Sequence, residues 1–330
     1  MLNKCTKDMR KVSVLIIAKN EEKNISRLFE SMKKLTYPKK DYEIVLVDDK
    51  STDSTPKIAK KYGARVVLNK EWKGRAHVRN LALKSAKYDV VAWIDADTEI
   101  VDPDWLQQMM EHLNGKVVGV GGTHAYPVGS SLLQKAVWHI PGMHIEVSRP
   151  QKAERAPTTS SMFLKKPLLE VGGYDEKLTT GEDLEICWRL AARGWEFVQI
   201  PNARIIHHYR PSVKKFFNQQ IEYGSEGAKI WKARLGVAIY ALFFGFILAS
   251  GYVAVNYTTL TLQALIILLL FFQFALRGIH FTPFSIVKAL KHERNPLVLI
   301  TTWFLIVIKN VATVLGFLRG LFVGGRYEER

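Results

Sequence analysis

The sequence predicts an α/β domain on a parallel sheet with helices on both faces, followed by membrane-spanning helices. Two observations carry the sheet: short apolar runs alternate with helical patterns over the first 120 residues, and three of those runs end in polar clusters. A third carries the membrane part, since no charged residue occurs from Leu235 to Leu276, about twice the roughly 20 residues that one spanning helix needs.

The elements follow in order. VSVLIIA (12–18) reads as a strand; closed by Lys19, it is too short for the core of a secretory signal. In EEKNISRLFESMKKL (21–35) the residues Ile25, Leu28, Phe29 and Met32 recur at helical spacing. YEIVLVDD (42–49) is a strand ending in acids, and STPKIAKKYG (54–63) a helix with a Ser cap, an early Pro and a closing Gly. ARVVLN and YDVVAWIDAD are two more strands, with the helix RAHVRNLALKSA between them.

In such sheets ligands bind beyond the carboxyl ends of the strands. Here those ends are Lys19-Asn20-Glu21, Asp48-Asp49 and Asp95-Ala96-Asp97. Ionised carboxylates are costly to bury unless paired or bound to a cation. Alternation along a strand turns Asp95 and Asp97 to one side, so both can face one ligand, directly or through a cation. Mg and Mn accept carboxylate oxygens and commonly share their shell with substrate phosphates. IIAKNEEKN is neither GxGxxG nor GxxxxGK[ST], so dinucleotide dehydrogenases and P-loop ATPases lose support.

Two spans are expected at about 236–255 and 258–276, with the polar break Asn256-Tyr257-Thr258-Thr259 between them. A third, 296–318, is interrupted by Lys309 and Asn310 and reads as a span, a re-entrant piece or an interfacial helix. Lys229, Lys232 and Arg234 before the first span, and Arg277, Lys288, Lys291 and Arg294 after the second, put residues 1–235 in the cytoplasm of a multi-pass cell-membrane protein. Cys5 and Cys187, far apart, fit a reducing compartment.

The net charge is +16. Residues 236–330 hold 8 basic and 3 acidic side chains, or +5, which leaves +11 for the rest. A basic face beside a membrane suits anionic headgroups or phosphate-bearing substrates; nucleic acid is not expected, for want of an aromatic-and-basic recognition motif. Segments 211–235 and 281–294 mix aromatic and basic residues, as helices lying at a membrane surface do. Residues 149–161 read as a mobile loop, and His124, His139 and His144 as ordinary polar residues.

Taken in order, SVLIIAKNEEKNI, EIVLVDDKSTDST, KGRAHVRNLAL, WIDADTEI and TTGEDLEICWRLAARGW resemble the successive motifs of family 2 glycosyltransferases of the GT-A fold, over roughly residues 11–210. The resemblance implies a Rossmann-like mixed sheet with flanking helices as a catalytic domain (1–210); the apolar and basic patterning beyond it adds juxtamembrane helices (211–235) and a membrane domain (236–330). The resemblance also implies that Asp49 and Glu21 line the base pocket of a nucleotide-diphosphate sugar, and that Asp95 lies near the ribose and diphosphate. Asp97 would bind the bridging Mn or Mg, Arg79 or Lys73 would meet phosphate or base, and His207 or His208 would add a metal or diphosphate contact. Asp183 would be the catalytic base, with Glu182, Arg189 and Trp188 on the acceptor side.

A surface charge for Arg79, a helix-end acid for Asp183 and core packing for Trp188 are the plainer readings of those residues. The expected reaction inverts the anomeric centre, because a carboxylate base frees an acceptor hydroxyl for in-line attack. An anionic lipid phosphate needs no base, so the GED motif favours a hydroxyl on a lipid-linked acceptor over polyprenyl phosphate. ICWRLAARGW lacks the QxxRW of processive members. The alternative of another class is a catalytically silent membrane scaffold.

Overall fold

The computed structural model describes residues 10–71, 73–140, 142–178, 180–210, 212–227, 293 and 295–322. The described parts fall into two compact units, one of residues 1–127 and 144–208, the other of 128–143 and 209–330. Residues 128–143, which the sequence division leaves in the catalytic part, thus group with the C-terminal unit.

In the first unit β1 (Val12–Ala18), β2 (Tyr42–Asp48), β3 (Arg65–Leu68) and β4 (Val90–Ile94) run parallel in the order β3-β2-β1-β4. The parallel run expected from the alternation of strands and helices ends there, and the mixed sheet that the resemblance implies takes over. β8 (Ser160–Leu164) is inserted antiparallel between β4 and β6 (Val117–Gly121). β9 (Glu196–Gln199) then pairs parallel with β6, and β7 (Gln151–Ala153) pairs antiparallel at the edge, so the eight-stranded sheet is mixed. Part of the stretch expected as a mobile loop is therefore strand: its backbone donors and acceptors are satisfied by the sheet edge.

Period-2 burial sorts β1 onto two cores. Val12, Val14 and Ile16 pack with Ile25, Leu28 and Phe29 of α1 (Glu22–Met32), Ala59 of α2 (Thr55–Lys61) and Trp105 of α4 (Trp105–His112). Leu15 packs on the other face, with Ala76, Val78 and Ala82 of α3 (Arg75–Ser85), Leu168 of α6 (Lys165–Glu170) and Ile186 and Leu190 of α7 (Glu182–Ala192). Each Val, Leu, Ile or Phe among them contributes about 1.5–3 kcal/mol by leaving water, and each Ala methyl less than about 1 kcal/mol. The expected Ser54 cap makes no side-chain bond; instead Asp53 Oδ1 accepts from the backbone N–H and hydroxyl of Thr55, a stronger, charged acceptor for the same helix start.

In the second unit α5 (Leu132–Trp138) is capped by Ser131, and α8 (Val213–Gly227) and α9 (Pro296–Phe322) pack side by side. The helix pair touches backbone to backbone: a Cβ on Gly224 would sit 2.1 Å from the Thr313 carbonyl oxygen, and one on Gly316 2.1 Å from that of Ile221. Thr302 Oγ1 donates to the Ala136 carbonyl, and Lys135 Nζ pairs with Glu293 at 3.2 Å. Of the expected amphipathic segment 211–235, residues 212–227 are described; their Phe216, Gln220 and Gly224 face inward. Residues 296–320 are long and apolar enough to cross a membrane, about 37 Å at ~1.5 Å per residue. Leu297, Ile300, Phe304 and Leu315 stand exposed along that helix. The spans expected at 236–255 and 258–276, and all of 281–294 but Glu293, lie outside the described residues.

Candidate active site

The segments that follow β1 and β2 are laced together beyond the carboxyl edge of the sheet. Asn20 takes a left-handed turn (φ 57°), and its Oδ1 accepts from the Thr52 N–H at 2.8 Å while its own N–H donates to Ser51 Oγ. The Glu21 N–H donates to Thr55 Oγ1 at 2.8 Å, and Glu21 Oε2 accepts from Asn24 Nδ2. Asp48 and Asp49 are buried. Asp49 Oδ1 accepts from Nδ2 of Asn69, just past β3, at 2.7 Å, and the Asn69 N–H donates to the Asp48 carbonyl. Asp48 Oδ2 accepts from the Ser51 N–H, whereas its Oδ1 is buried with no hydrogen-bond partner among the described residues.

β4 stops at Ile94, one residue before the acids, and the chain turns through residues 95–97 into β5 (Thr98–Ile100). Strand alternation therefore does not align Asp95 and Asp97; the turn does, pinned by Thr98 Oγ1 donating to the Asp95 carbonyl at 2.7 Å and the His208 N–H to that of Asp97 at 2.8 Å. β5 pairs antiparallel with β10 (Ile205–His207), which sets His207 Nε2 3.3 Å from Asp97 Oδ1. Ligand atoms of Asp95, Asp97 and His207 lie within 4.8 Å of one another.

Burial pushes the Asp95 carboxyl above its ordinary range, Arg79 pulls it down and Asp97 pushes it up again. Two carboxylate oxygens and one imidazole nitrogen, with the acids repelling, are a donor set that could hold a divalent cation. Behind His207, His124 is buried at a ring separation of 6.0 Å. Its Nδ1 accepts from the Ile145 N–H, and burial drops its pKa to about 3, so it is neutral.

α3 and α7 close the other side. Arg79 is buried: its Nε donates to Glu182 Oε1 at 2.8 Å, its Nη2 lies 3.7 Å from Asp95 Oδ1, and its guanidinium stacks 5.2 Å from the Trp93 ring. It is no surface charge. One turn earlier Arg75 is half-buried, and its charge favours the ionised forms of both Asp95 and Glu182. Sequence reasoning passed over Arg75; its place four residues before Arg79, on the same helix face, was the available signal.

Gly181 adopts the left-handed turn (φ 76°) that starts α7. Asp183, half-buried in the first turn, accepts the Leu184 N–H at 2.9 Å. Glu182 is turned inward to Arg79. Arg189 pairs with Glu185 at 2.6 Å and donates to the carbonyls of Val171 and Gly173, which ties α7 to the loop after α6. Trp188 is half-buried on α7. Lys73 pairs with Glu71 at 2.5 Å, both exposed. Among the described residues the structure thus gathers Asp95, Asp97, His207, Arg79 and Glu182 at one place, and holds Asp49 with Asn69.

Residues 13–172 match the family described as "Glycosyl transferase family 2". Glycosyltransferase AglE of Haloferax volcanii is 24% identical over 67% of this chain and 74% of its own. Pre-mycofactocin glycosyltransferase of Mycobacterium tuberculosis is 24% identical over 67% of this chain and 47% of its own, so the chain spans about half the length of that relative. Among solved structures, a mannosyltransferase from Pyrobaculum calidifontis in complex with GDP-Man and Mn2+ superposes with a TM-score of 0.65 at 18% identity, covering 96% of this chain and 89% of that one. That likeness establishes the fold as GT-A.

Proposed function

Because residues 13–172 form a family 2 glycosyltransferase domain, we propose that the chain moves a sugar from a nucleoside-diphosphate sugar to a hydroxyl of a lipid-linked acceptor at the cytoplasmic face of a membrane. The convergence of Asp95, Asp97 and His207 within 4.8 Å is the observation that carries this reading. A divalent cation, Mn or Mg, held by those three side chains would supply charge neutralisation for the leaving diphosphate.

The chain's own residues account for the remaining roles. Asp49, held by Asn69, accepts from the base of the nucleotide, with Glu21 beside it. Arg75, whose charge already falls on Asp95, adds a cation for the diphosphate. Asp183 takes the proton of the acceptor hydroxyl as it attacks the anomeric carbon from the face opposite the departing diphosphate. The product has inverted configuration and no covalent intermediate forms. The apolar helix 296–320 anchors the chain where a lipid acceptor is met.

The test is transfer from labelled sugar nucleotides to membrane lipid extract by the detergent-purified chain. The reading expects a labelled lipid product whose formation falls about 10²–10⁴-fold in Asp183→Asn, with donor binding kept. Transfer at the parent rate by that variant would remove Asp183 from the base role; transfer to a polyprenyl phosphate alone would replace the hydroxyl acceptor.

A further inference from the structure

Arg79 and Glu182 are a buried ion pair that reaches from α3 to the start of α7. Glu182 is 2% exposed and Arg79 4%, so neither side chain offers a free face to a sugar nucleotide. The guanidinium is shared unequally: it donates to Glu182 at 2.8 Å and stands 3.7 Å from Asp95, with the Trp93 ring beneath it. A cation entering between Asp95 and Asp97 meets the positive charge of Arg79 behind Asp95, and the strength of that opposition depends on how fully Glu182 holds the guanidinium.

Resting on the glycosyltransferase reading, we propose that Glu182 is a positioning residue for the cation site, acting through Arg79. By engaging the guanidinium it keeps Asp95 available to a divalent cation. Glu182 neighbours Asp183 at the start of α7, so the helix that presents the base is tied to the site that holds the donor. Arg79 is then a link between the two and not a ligand of the phosphate.

Charge arithmetic separates this from a packing role. Glu182→Gln leaves Arg79 unbalanced and turns it toward Asp95, so Mn2+ binding should weaken on the order of tenfold. Removing both charges in Arg79→Met/Glu182→Met restores the local balance, and apolar replacement of a buried pair is tolerated. Mn2+ affinity should then return to within about threefold of the parent. A packing role predicts the reverse order, the double variant being the worse.

The measurement is Mn2+ binding to the full chain in detergent, read by the free-ion paramagnetic resonance signal, with circular dichroism to verify folding. Glu182→Asp, which keeps the charge and draws it back by one methylene, should fall between parent and Glu182→Gln, and it carries the test if Glu182→Gln does not fold. Parent-like Mn2+ affinity in the Gln or Asp variant, or a double variant weaker than Glu182→Gln, overturns the coupling and leaves the enzyme reading intact. No Mn2+ binding by the parent overturns both.

Discussion

Replacing Arg79 by Met should destabilise the chain far more than replacing Arg79 and Glu182 together. At an effective dielectric of about 20, the contacts at 2.8 Å and 3.7 Å are worth gross attractions of about 6 and about 4.5 kcal/mol. Desolvation of the buried Arg79 and Glu182 and of the half-buried Asp95 offsets most of that in the parent. In Arg79→Met the two acids keep their burial and lose their cation, so the net loss is about 3–5 kcal/mol. Thermal unfolding of the detergent-solubilised protein at pH 7.5 should drop on the order of 10 °C. Arg79→Met/Glu182→Met removes the stranded Glu182 and should recover most of the drop. A double variant as unstable as the single one would refute the claim that uncompensated charge, and not lost packing against Trp93, sets the cost.

Three further outcomes follow. Gly316→Ala should lower stability by about 1–3 kcal/mol net of its helix-propensity gain, because the added Cβ meets the Ile221 carbonyl oxygen at 2.1 Å; hydrogen exchange should show lost protection along 213–227, and unchanged protection would contradict the close packing. Burial alone would raise the carboxyl pKa of Glu43, yet hydrogen bonds from Ser13, the Lys87 N–H and Arg65 hold it below its ordinary value. Its stabilising contribution is therefore full above the unfolded pKa and lost as pH falls through the folded one, so Glu43→Gln should flatten the stability profile below about pH 4.5, and a profile parallel to the parent's would exclude Glu43 as a source. Cys187, buried on α7 with its thiol pushed up to about 12 by that burial, should resist iodoacetamide in the folded protein at pH 8; labelling at the rate of the unfolded chain would show that α7 opens.

The parallel half of the sheet was legible because local pattern governs it. The expected first strand coincides with β1 over Val12–Ala18, and the acids after β2 emerge at the carboxyl edge. β8 was not legible: its antiparallel insertion between β4 and β6 depends on pairing between segments some 70 residues apart in sequence, which no window of alternation reports. The same limit explains the cation cluster. Asp95 and Asp97 stood out as a local pair, but the reason they converge is a turn, and His207 reaches them only through the pairing of β10 with β5.

Glu182 shows the limit most sharply. Its place in GED suggests the acceptor side, whereas its carboxylate lies on a guanidinium 103 positions earlier in the chain. Arg79 in turn could be a surface charge by sequence, and only the packing of α3 onto β1 and β2, with Trp93 and Glu182 against the guanidinium, buries it. Charges on helices carry no mark of which face the fold will cover.

The most direct test of a cation-assisted nucleotide site is thermal stabilisation of the full chain by UDP, GDP and their sugar conjugates, each with Mn2+, Mg2+ or chelator. The account predicts a shift for one base that requires the metal, disappears in Asp97→Asn and names the donor class. A folded protein that none of these ligands stabilises, or one stabilised equally in chelator and in Asp97→Asn, would contradict it.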